Sequence, residues 1–276
     1  MIRSAAPRGL PFSLAACAAQ ASAAIAAARE RGLGLEIALF ETAAYLDSAA
    51  ALGPIADAAR GGGAATGRPV RLSAHGPIYD LNPGSPEPFV RDFTVRAMSA
   101  AARAAKALGA DRMVIHTGYN PLLPRDVETP WCASAAEALR KVAAASRENG
   151  VALLLENTFE ESPETLVRLA EAIDPKGDGL GFCFDLAHAR LRSERRFPEW
   201  LAALGPRIAE FHLNDCDGAD DSHWALGDGV CEVIPFLEAV AGGAHRSTPI
   251  VLEMPLDRAE RSLEFLAERG FRPTAG

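Results

Sequence analysis

Residues 151–185 read VALLLENTFEESPETLVRLAEAIDPKGDGLGFCFD, and this stretch decides the fold. VALLLE is an apolar run of strand length that ends on a carboxylate. Ser162-Pro163-Glu164-Thr165 then opens a helix, with Ser162 as its cap and Pro163 at its first position. That helix is expected over 163–173. LGFCFD, at 180–185, is a second apolar run that also ends on a carboxylate. Strand, helix and strand in this order form a unit whose two strands lie parallel.

The same alternation extends in both directions. Further strands are expected at 10–14, 33–39 (LGLEIAL), 70–74, 111–116, 207–213 and 249–253, with helical runs including 87–108, 131–148 and 231–241. In ALGADRM and RENGVAL a Gly stands where a helix stops and a strand begins. Eight strands alternating with helices over 276 residues predict an α/β fold: one (β/α)8 TIM barrel domain spanning residues 1–276. A doubly wound open sheet is the rival. No G-x-G-x-x-G opens an early helix, which counts against a dinucleotide fold. Gly61-Gly62-Gly63 lacks the Lys-Ser/Thr of a phosphate loop and reads as a plain connector.

Composition narrows the function classes. Hydrophobic residues make up 49%, enough for a large core, yet no apolar run approaches the roughly 18 residues of a membrane span. LPFSLAACAAQASAAIAAARERG, near the N-terminus, has an outline like a secretory leader. Its alanines suit a helix better than a leader's apolar stretch, so a strand followed by an Ala-rich helix is expected. The five cysteines, Cys17, Cys132, Cys183, Cys216 and Cys231, contain no C-x-x-C pair. A reducing, cytoplasmic setting without a disulfide framework is expected. A net charge of −8 disfavours nucleic acid as partner, although a local basic patch would still permit it.

The placement of the polar residues carries the functional signal. His75 follows the run at 70–74, and His116 ends 111–116. Glu156 ends 151–156, and Asp185 ends 180–185 with His188 three residues on. His212 lies near the end of 207–213, Asp221 and His223 follow it, and Glu253 ends 249–253. In a barrel all these strand ends meet around one mouth. Five of the six histidines fall there; His245, in a Gly-rich turn, is expected to face solvent. A carboxylate closing an apolar run is costly unless it is paired or binds metal. Imidazole with carboxylate suits Zn, Mn or Fe, and nine ligands would serve two or three divalent ions, Zn or Mn above all.

These residues resemble the xylose-isomerase-like TIM barrels, which include sugar isomerases and epimerases and the endonuclease IV type of phosphodiesterase. The resemblance runs from about residue 30 to the end. Glu156, Asp185, His212 and Glu253 are similar to the single-metal set of the isomerase branch, and His188 to the substrate-contacting His of its D-x-x-H. The endonuclease IV branch adds a His in an H-x-P-Y-like turn, a His in H-P-G, and the Asp and His of D-x-H-x-x-x-G-x-G. Here His75 stands in HGPIYDLNPG, His116 in HTGY, and Asp221 and His223 in DSHWALGDG. The resemblance therefore implies a trinuclear ligand set. The chain departs from the DNA repair enzymes after ENT, where FEESPE replaces a Gly-Gln-Gly run, and no strongly basic loops frame the mouth. HGPIYDLNPG, HTGYNP, ENTFEESPE, CFDLAHARL and HLND also resemble the cobamide-remodelling phosphodiesterases, which open a corrinoid's nucleotide loop.

Two enzymatic readings follow. In a phosphodiesterase acting on a small or corrinoid-like phosphodiester, Glu156 bridges ions and positions or deprotonates the nucleophile. In a sugar or sugar phosphate isomerase or epimerase, Glu156 and Glu253 flank the reacting carbon as acid and base. The second leaves His75, His116, Asp221 and His223 without a stated role and ranks lower. A structural metal or plain binding protein ranks third, because structural zinc sites are closed and four-coordinate. Tyr119 and Trp131 read as stacking surfaces for substrate or as lids over the helices. Asn157 and Asn214 read as substrate or ligand-orienting contacts, or as turn residues. The charged run RLRSERRFP at 190–198 reads as a solvated face, Asp217 and Asp220 as ordinary loop residues, and Cys183 as packed against the helix layer. The sequence sets no oligomeric state.

Overall fold

The structure is a computed structural model, and it describes residues 8–39, 49–61, 69–122, 124–177 and 179–274. Eight parallel strands close into a barrel in sequence order: β2 (Phe12–Cys17), β3 (Gly34–Ala38), β4 (Leu72–His75), β5 (Arg112–His116), β6 (Ala152–Glu156), β7 (Leu180–Asp185), β8 (Ile208–Leu213) and β9 (Ile250–Leu252). The helices are α1 (Ala21–Arg31), α2 (Ala49–Arg60), α3 (Pro88–Leu108), α4 (Arg125–Glu148), α5 (Pro163–Ile173), α6 (Leu186–Arg192), α7 (Phe197–Leu204), α8 (Val233–Gly242) and α9 (Leu256–Glu268). The (β/α)8 TIM barrel is thus the observed fold, and the open sheet is excluded.

Among the described residues, two short strands lie outside the barrel. β1 (Arg8–Leu10) pairs in parallel with β10 (Phe271–Pro273). The Ala-rich N-terminal stretch is built into the barrel: Phe12 and Leu14 of β2, and Ala24, Ile25 and Ala28 of α1, are buried. The strand expected at 10–14 lies at Phe12–Cys17, and the helix expected from 131 begins at Arg125. The Gly61-Gly62-Gly63 connector falls largely outside the described residues. Gly109 ends α3 with φ 82 and Gly150 follows α4 with φ 68, left-handed turns where a Cβ is costly. No helix among the described residues is long and apolar enough to cross a membrane.

Strand alternation sorts the core into two regions. Leu35, Ile37, Leu153, Leu155, Phe182, Phe184 and Phe211 join the main core with the helices. Burying each such side chain contributes roughly 1.5–3 kcal/mol. Val114, Leu154 and Cys183 form a separate buried cluster. Each stands two residues before His116, Glu156 or Asp185, so it fills the barrel interior directly beneath a strand end. Cys183 therefore does not pack against the helix layer, contrary to expectation. A residue two before Asp185 on the same strand must share its face.

Candidate metal centre

The nine residues expected at the mouth form one connected network. His116 pairs in register with Glu156, and Asp185 with His212. Glu156 is the hub. Its Oε2 lies 3.1 Å from His75 Nε2 and 3.2 Å from His116 Nε2, and its Oε1 lies 3.2 Å from His212 Nδ1 and 3.3 Å from His188 Nδ1. His212 Nδ1 is also 3.0 Å from Glu253 Oε2. Asp221 Oδ2 lies 3.1 Å from both His188 Nε2 and His223 Nε2. Glu253 stands one residue beyond β9.

The network has depth. His75, Glu156, Asp185 and His212 are buried, whereas Asp221 and His223 are half-exposed. Glu156, Asp185, His212 and Glu253 each offer a ligand atom within 4.8 Å of the others, and so do His75, His116 and Glu156.

The local chain explains this placement. Asp185 caps α6: its Oδ1 accepts from His188 N at 2.6 Å, which fixes D-x-x-H as one turn. Asp215 folds the loop after β8. Its Oδ2 accepts from Gly227 N at 2.9 Å and Gly229 N at 3.1 Å, and its Oδ1 accepts from Cys231 N at 2.9 Å. A Cβ at Gly229 would collide with the Cys216 carbonyl, so the G-x-G spacing brings the loop onto Asp215. Arg258 donates to the Ser222 and His223 carbonyls at 2.9 Å each. His223 itself has φ 46, a strained conformation held by these contacts.

The electrostatics of these side chains are those of trapped opposite charges. Burial works to raise the Glu156 carboxyl, but His212 and His116 hold it well below the usual range. Burial opposes charge on His75, yet Glu156 raises it to about 9. Against burial, His188 is likewise raised well above the usual value by Asp185, Asp221 and Glu156, and His212 by Cys183, Glu253, Glu36 and Glu156. Burial lowers His116. Burial raises Asp185 to about 7, with Glu253 and Glu156 adding to it against His188.

Three observations fit a divalent cation. Asp185 Oδ2, Asp221 Oδ1 and Glu253 Oε2 are buried without a hydrogen-bond partner, a costly state for a carboxylate. Glu253 Oε2 sits 3.0 Å from His212 Nδ1 yet makes no hydrogen bond. Two ligands of one tetrahedral ion stand about 3.4 Å apart, given bonds of about 2.1 Å. Finally, several imidazoles turn one nitrogen to the carboxylates and tie off the other. His75 Nδ1 donates to Gly76 O at 2.9 Å, His188 Nδ1 to Asn157 O at 2.9 Å, and His223 Nδ1 to the Glu253 carbonyl. That arrangement fixes the tautomer of metal-ligating histidines.

The remaining expected residues divide. Asn157 serves Asp185: Nδ2 donates to Asp185 O at 2.9 Å and Oδ1 accepts from Asp185 N at 2.8 Å. Both of its amide atoms are thus engaged by the Asp185 backbone. Asn214 is fully buried, and both its amide atoms lack partners. Trp131 is buried, whereas Tyr119 is half-buried with its ring 5.3 Å from the Trp131 ring. Both line a cavity of about 970 Å³ formed with the loops after β6 and β7. His245 is half-buried rather than solvent-facing, its ring 5.7 Å from that of Phe211. Asp217 Oδ1 accepts from Ala219 N and Asp220 N, an ordinary loop turn. The arginines of 190–198 are exposed, and Arg192 and Arg195 reach the cavity.

Sequence reasoning missed Glu36, Glu160 and Glu210. Glu160 is buried and raised by that burial, accepting from Thr117 Oγ1 and, at 2.8 Å, from Thr158 N. Glu210 Oε2 accepts from Arg112 Nε at 2.6 Å inside the barrel. Glu36 lies beside His212. The available signal was a charge within an apolar strand, LGLEIAL or RIAEFHL.

The xylose isomerase-like TIM barrel family profile matches residues 25–269. The chain belongs to this family. A relative from Methanoculleus marisnigri named "Probable endonuclease 4" is 30% identical over 219 residues, covering 68% of this chain and 74% of its own. An uncharacterized protein of Methanocaldococcus jannaschii is 29% identical over 206 residues, covering 72% of this chain and 70% of its own. Among solved structures, the TTHB071 protein of Thermus thermophilus, soaked with zinc chloride, superposes with TM-score 0.78 at 35% identity, covering 94% of this chain and 97% of that one. A D-tagatose 3-epimerase-like protein also superposes at 0.78, but at 24% identity, which bears on the fold alone. Family membership therefore leaves hydrolase and isomerase chemistry to be argued from the site.

Proposed function

We propose that this protein is a divalent-metal-dependent phosphodiesterase acting on a small or bulky, partly apolar phosphodiester rather than on DNA. One observation carries the reading: His75, His116, His188, Asp221 and His223 are continuous with the inner four ligands through Glu156 and Asp221. An isomerase has no use for most of them. Two or three ions, Zn or Mn, held there would bind phosphate oxygens, activate water near neutral pH and stabilise the leaving oxygen. Among the described residues Glu156 alone touches four imidazoles, which supports a role in orienting or deprotonating the nucleophile. Asp185, His212 and Glu253 would hold one position together with Glu156, and His75, His116, His188, Asp221 and His223 the others.

The surroundings favour a bulky substrate over nucleic acid. The large exposed apolar side chains among the described residues include Tyr79, Phe89, Leu122, Phe159 and Val230. All five lie on loops or first helical turns that follow barrel strands, so they rim the mouth. The cavity bounded by Tyr119 and Trp131 mixes Arg168, Arg192 and Arg195 with four glutamates, an unsuitable lining for a polyanion. A cobamide-like diester suits this combination of size and polarity.

The runner-up is a sugar or sugar phosphate isomerase or epimerase. The compact group of Glu156, Asp185, His212 and Glu253 favours it, since one ion and a Glu156/Glu253 pair would suffice. Metal content and two variants separate the readings. Protein purified without chelator is expected to carry more than one ion per chain and to hydrolyse bis(p-nitrophenyl) phosphate. His116→Ala and His223→Ala are expected to abolish that hydrolysis. A ceiling of one ion, with epimerase activity surviving both substitutions, overturns the phosphodiesterase.

A further inference from the structure

His212 differs from the other tied histidines in what secures its second nitrogen. His75, His188 and His223 each donate to a backbone carbonyl. His212 turns Nε2 toward a side chain, Glu36 Oε2, at 3.4 Å. Its Nδ1 faces the opposite way, 3.2 Å from Glu156 Oε1 and 3.0 Å from Glu253 Oε2. Glu36 comes from β3, on a separate part of the barrel wall, and is 2% exposed.

We propose that Glu36 is the positioning residue that makes His212 a metal ligand, by accepting Nε2–H and leaving the Nδ1 lone pair directed at Glu156 and Glu253. This rests on reading the inner four residues as a metal site, and it holds for hydrolase and isomerase alike. A neutral imidazole carries one N–H, so fixing the proton on Nε2 frees Nδ1. A carboxylate acceptor also makes the ligating nitrogen more basic than a carbonyl acceptor does. The orientation of Glu36 is set by its own surroundings. Glu210 lies in the same cluster, with ligand atoms of Glu36, Glu210 and His212 all within 4.8 Å, but Arg112 Nε engages Glu210 at 2.6 Å. With Arg112 hydrogen-bonded there, the donor facing Glu36 Oε2 is His212 Nε2, at 3.4 Å.

A merely structural Glu36 would affect folding but not the metal. The test therefore reads the metal directly. Wild type, Glu36→Gln and Glu36→Leu are loaded with Co2+ and with Zn2+. The Co2+ d–d spectrum and the Zn2+ dissociation constant by chelator competition are measured, with circular dichroism as the fold control. Glu36→Leu is expected to weaken the tightest site by about 10- to 100-fold and to alter the d–d bands. Glu36→Gln is expected to recover part of both, because its amide oxygen can accept Nε2–H. Folded variants with wild-type affinity and spectrum overturn the role of Glu36 alone. If Glu36→Leu fails to fold, Glu36→Gln decides: unchanged affinity and bands overturn the proposal. A wild-type protein that binds neither ion overturns the metal reading itself, and this role with it.

Discussion

Asn157 and Asp185 are clasped by a reciprocal pair of hydrogen bonds between one side chain and one backbone: Asn157 Nδ2 donates to Asp185 O at 2.9 Å, and Asp185 N donates to Asn157 Oδ1 at 2.8 Å. The clasp joins the end of β6 to the end of β7, just where Glu156 and Asp185 supply their carboxylates. Asn157→Ala leaves a buried N–H and C=O without partners, so a loss of about 1–3 kcal/mol in urea unfolding is expected. Metal retention is expected to fall by about 10-fold, since Asp185 loses its orientation. An Asn157→Ala protein with wild-type metal affinity would show that the clasp is irrelevant to the ligand.

The strand-end residues of the candidate site were legible because they close apolar runs, where a bare charge is costly. Glu36 and Glu210 were not, because they stand inside runs and were absorbed into the apolar pattern. Alternation alone places Glu210 on the same face as His212, two residues on, and Cys183 on the face of Asp185. That rule, applied strictly, would have found the buried layer beneath the site. The pairing of β1 with β10 joins opposite ends of the chain and has no local signal. The role of Asp215 was hidden for a related reason: its partners at Gly227, Gly229 and Cys231 are defined by a loop closure, not by a period.

The metal-free protein is expected to lose stability as pH rises from 6 to 9.5. Burial opposes charge on His75 and His223, yet Glu156 beside the first and Asp221 beside the second raise both to about 9. Their folded values exceed the unfolded value of about 6.5, so their contribution is complete below about 6.5 and lost as pH rises through about 9. Asp185, raised to about 7 mainly by burial, acts in the same direction between its unfolded value of about 3.9 and 7. At the acid end, burial works against Glu253, but His212 lowers it to about 2. That contribution is present above about 4.3 and lost as pH falls through about 2. Metal binding should displace the imidazole protons, so affinity for Zn2+ should rise with pH and the loaded protein should keep its stability at pH 9.5. Melting curves with and without Zn2+ at pH 6, 7.5 and 9.5 check this. A metal-free protein that gains stability across that range contradicts it.

Arg112 and Glu210 form a buried ion pair at 2.6 Å inside the barrel, with Glu210 fully enclosed. Burial raises Glu210 to about 7 despite Arg112, so the carboxylate depends on its partner. Removing the cation alone, as in Arg112→Met, should cost about 3–5 kcal/mol, because it leaves a buried charge unpaired. The double variant R112M/E210L should recover most of that loss. Equal instability of the single and double variants in urea titrations would show that shape, not charge, is what matters in this layer.

Trp131 and Tyr119 touch each other in a T-shaped contact but should behave differently when removed. The Trp131 indole is 3% exposed, lies against Gly84, and donates from Nε1 to Asn82 Oδ1 at 3.3 Å. It is a wall of the cavity, fixed by packing. Trp131→Ala should therefore cost about 3–5 kcal/mol of stability. Tyr119 is half-buried at the cavity surface, on the loop after His116. Tyr119→Ala should leave stability within about 1 kcal/mol of wild type and raise KM for a bulky diester with little change in kcat, because it removes binding that ground state and transition state share. The small substrate bis(p-nitrophenyl) phosphate should be indifferent to Tyr119. An unchanged KM for bulky diesters in Tyr119→Ala would assign the cavity to packing and move substrate recognition to the apolar rim around Phe89 and Phe159.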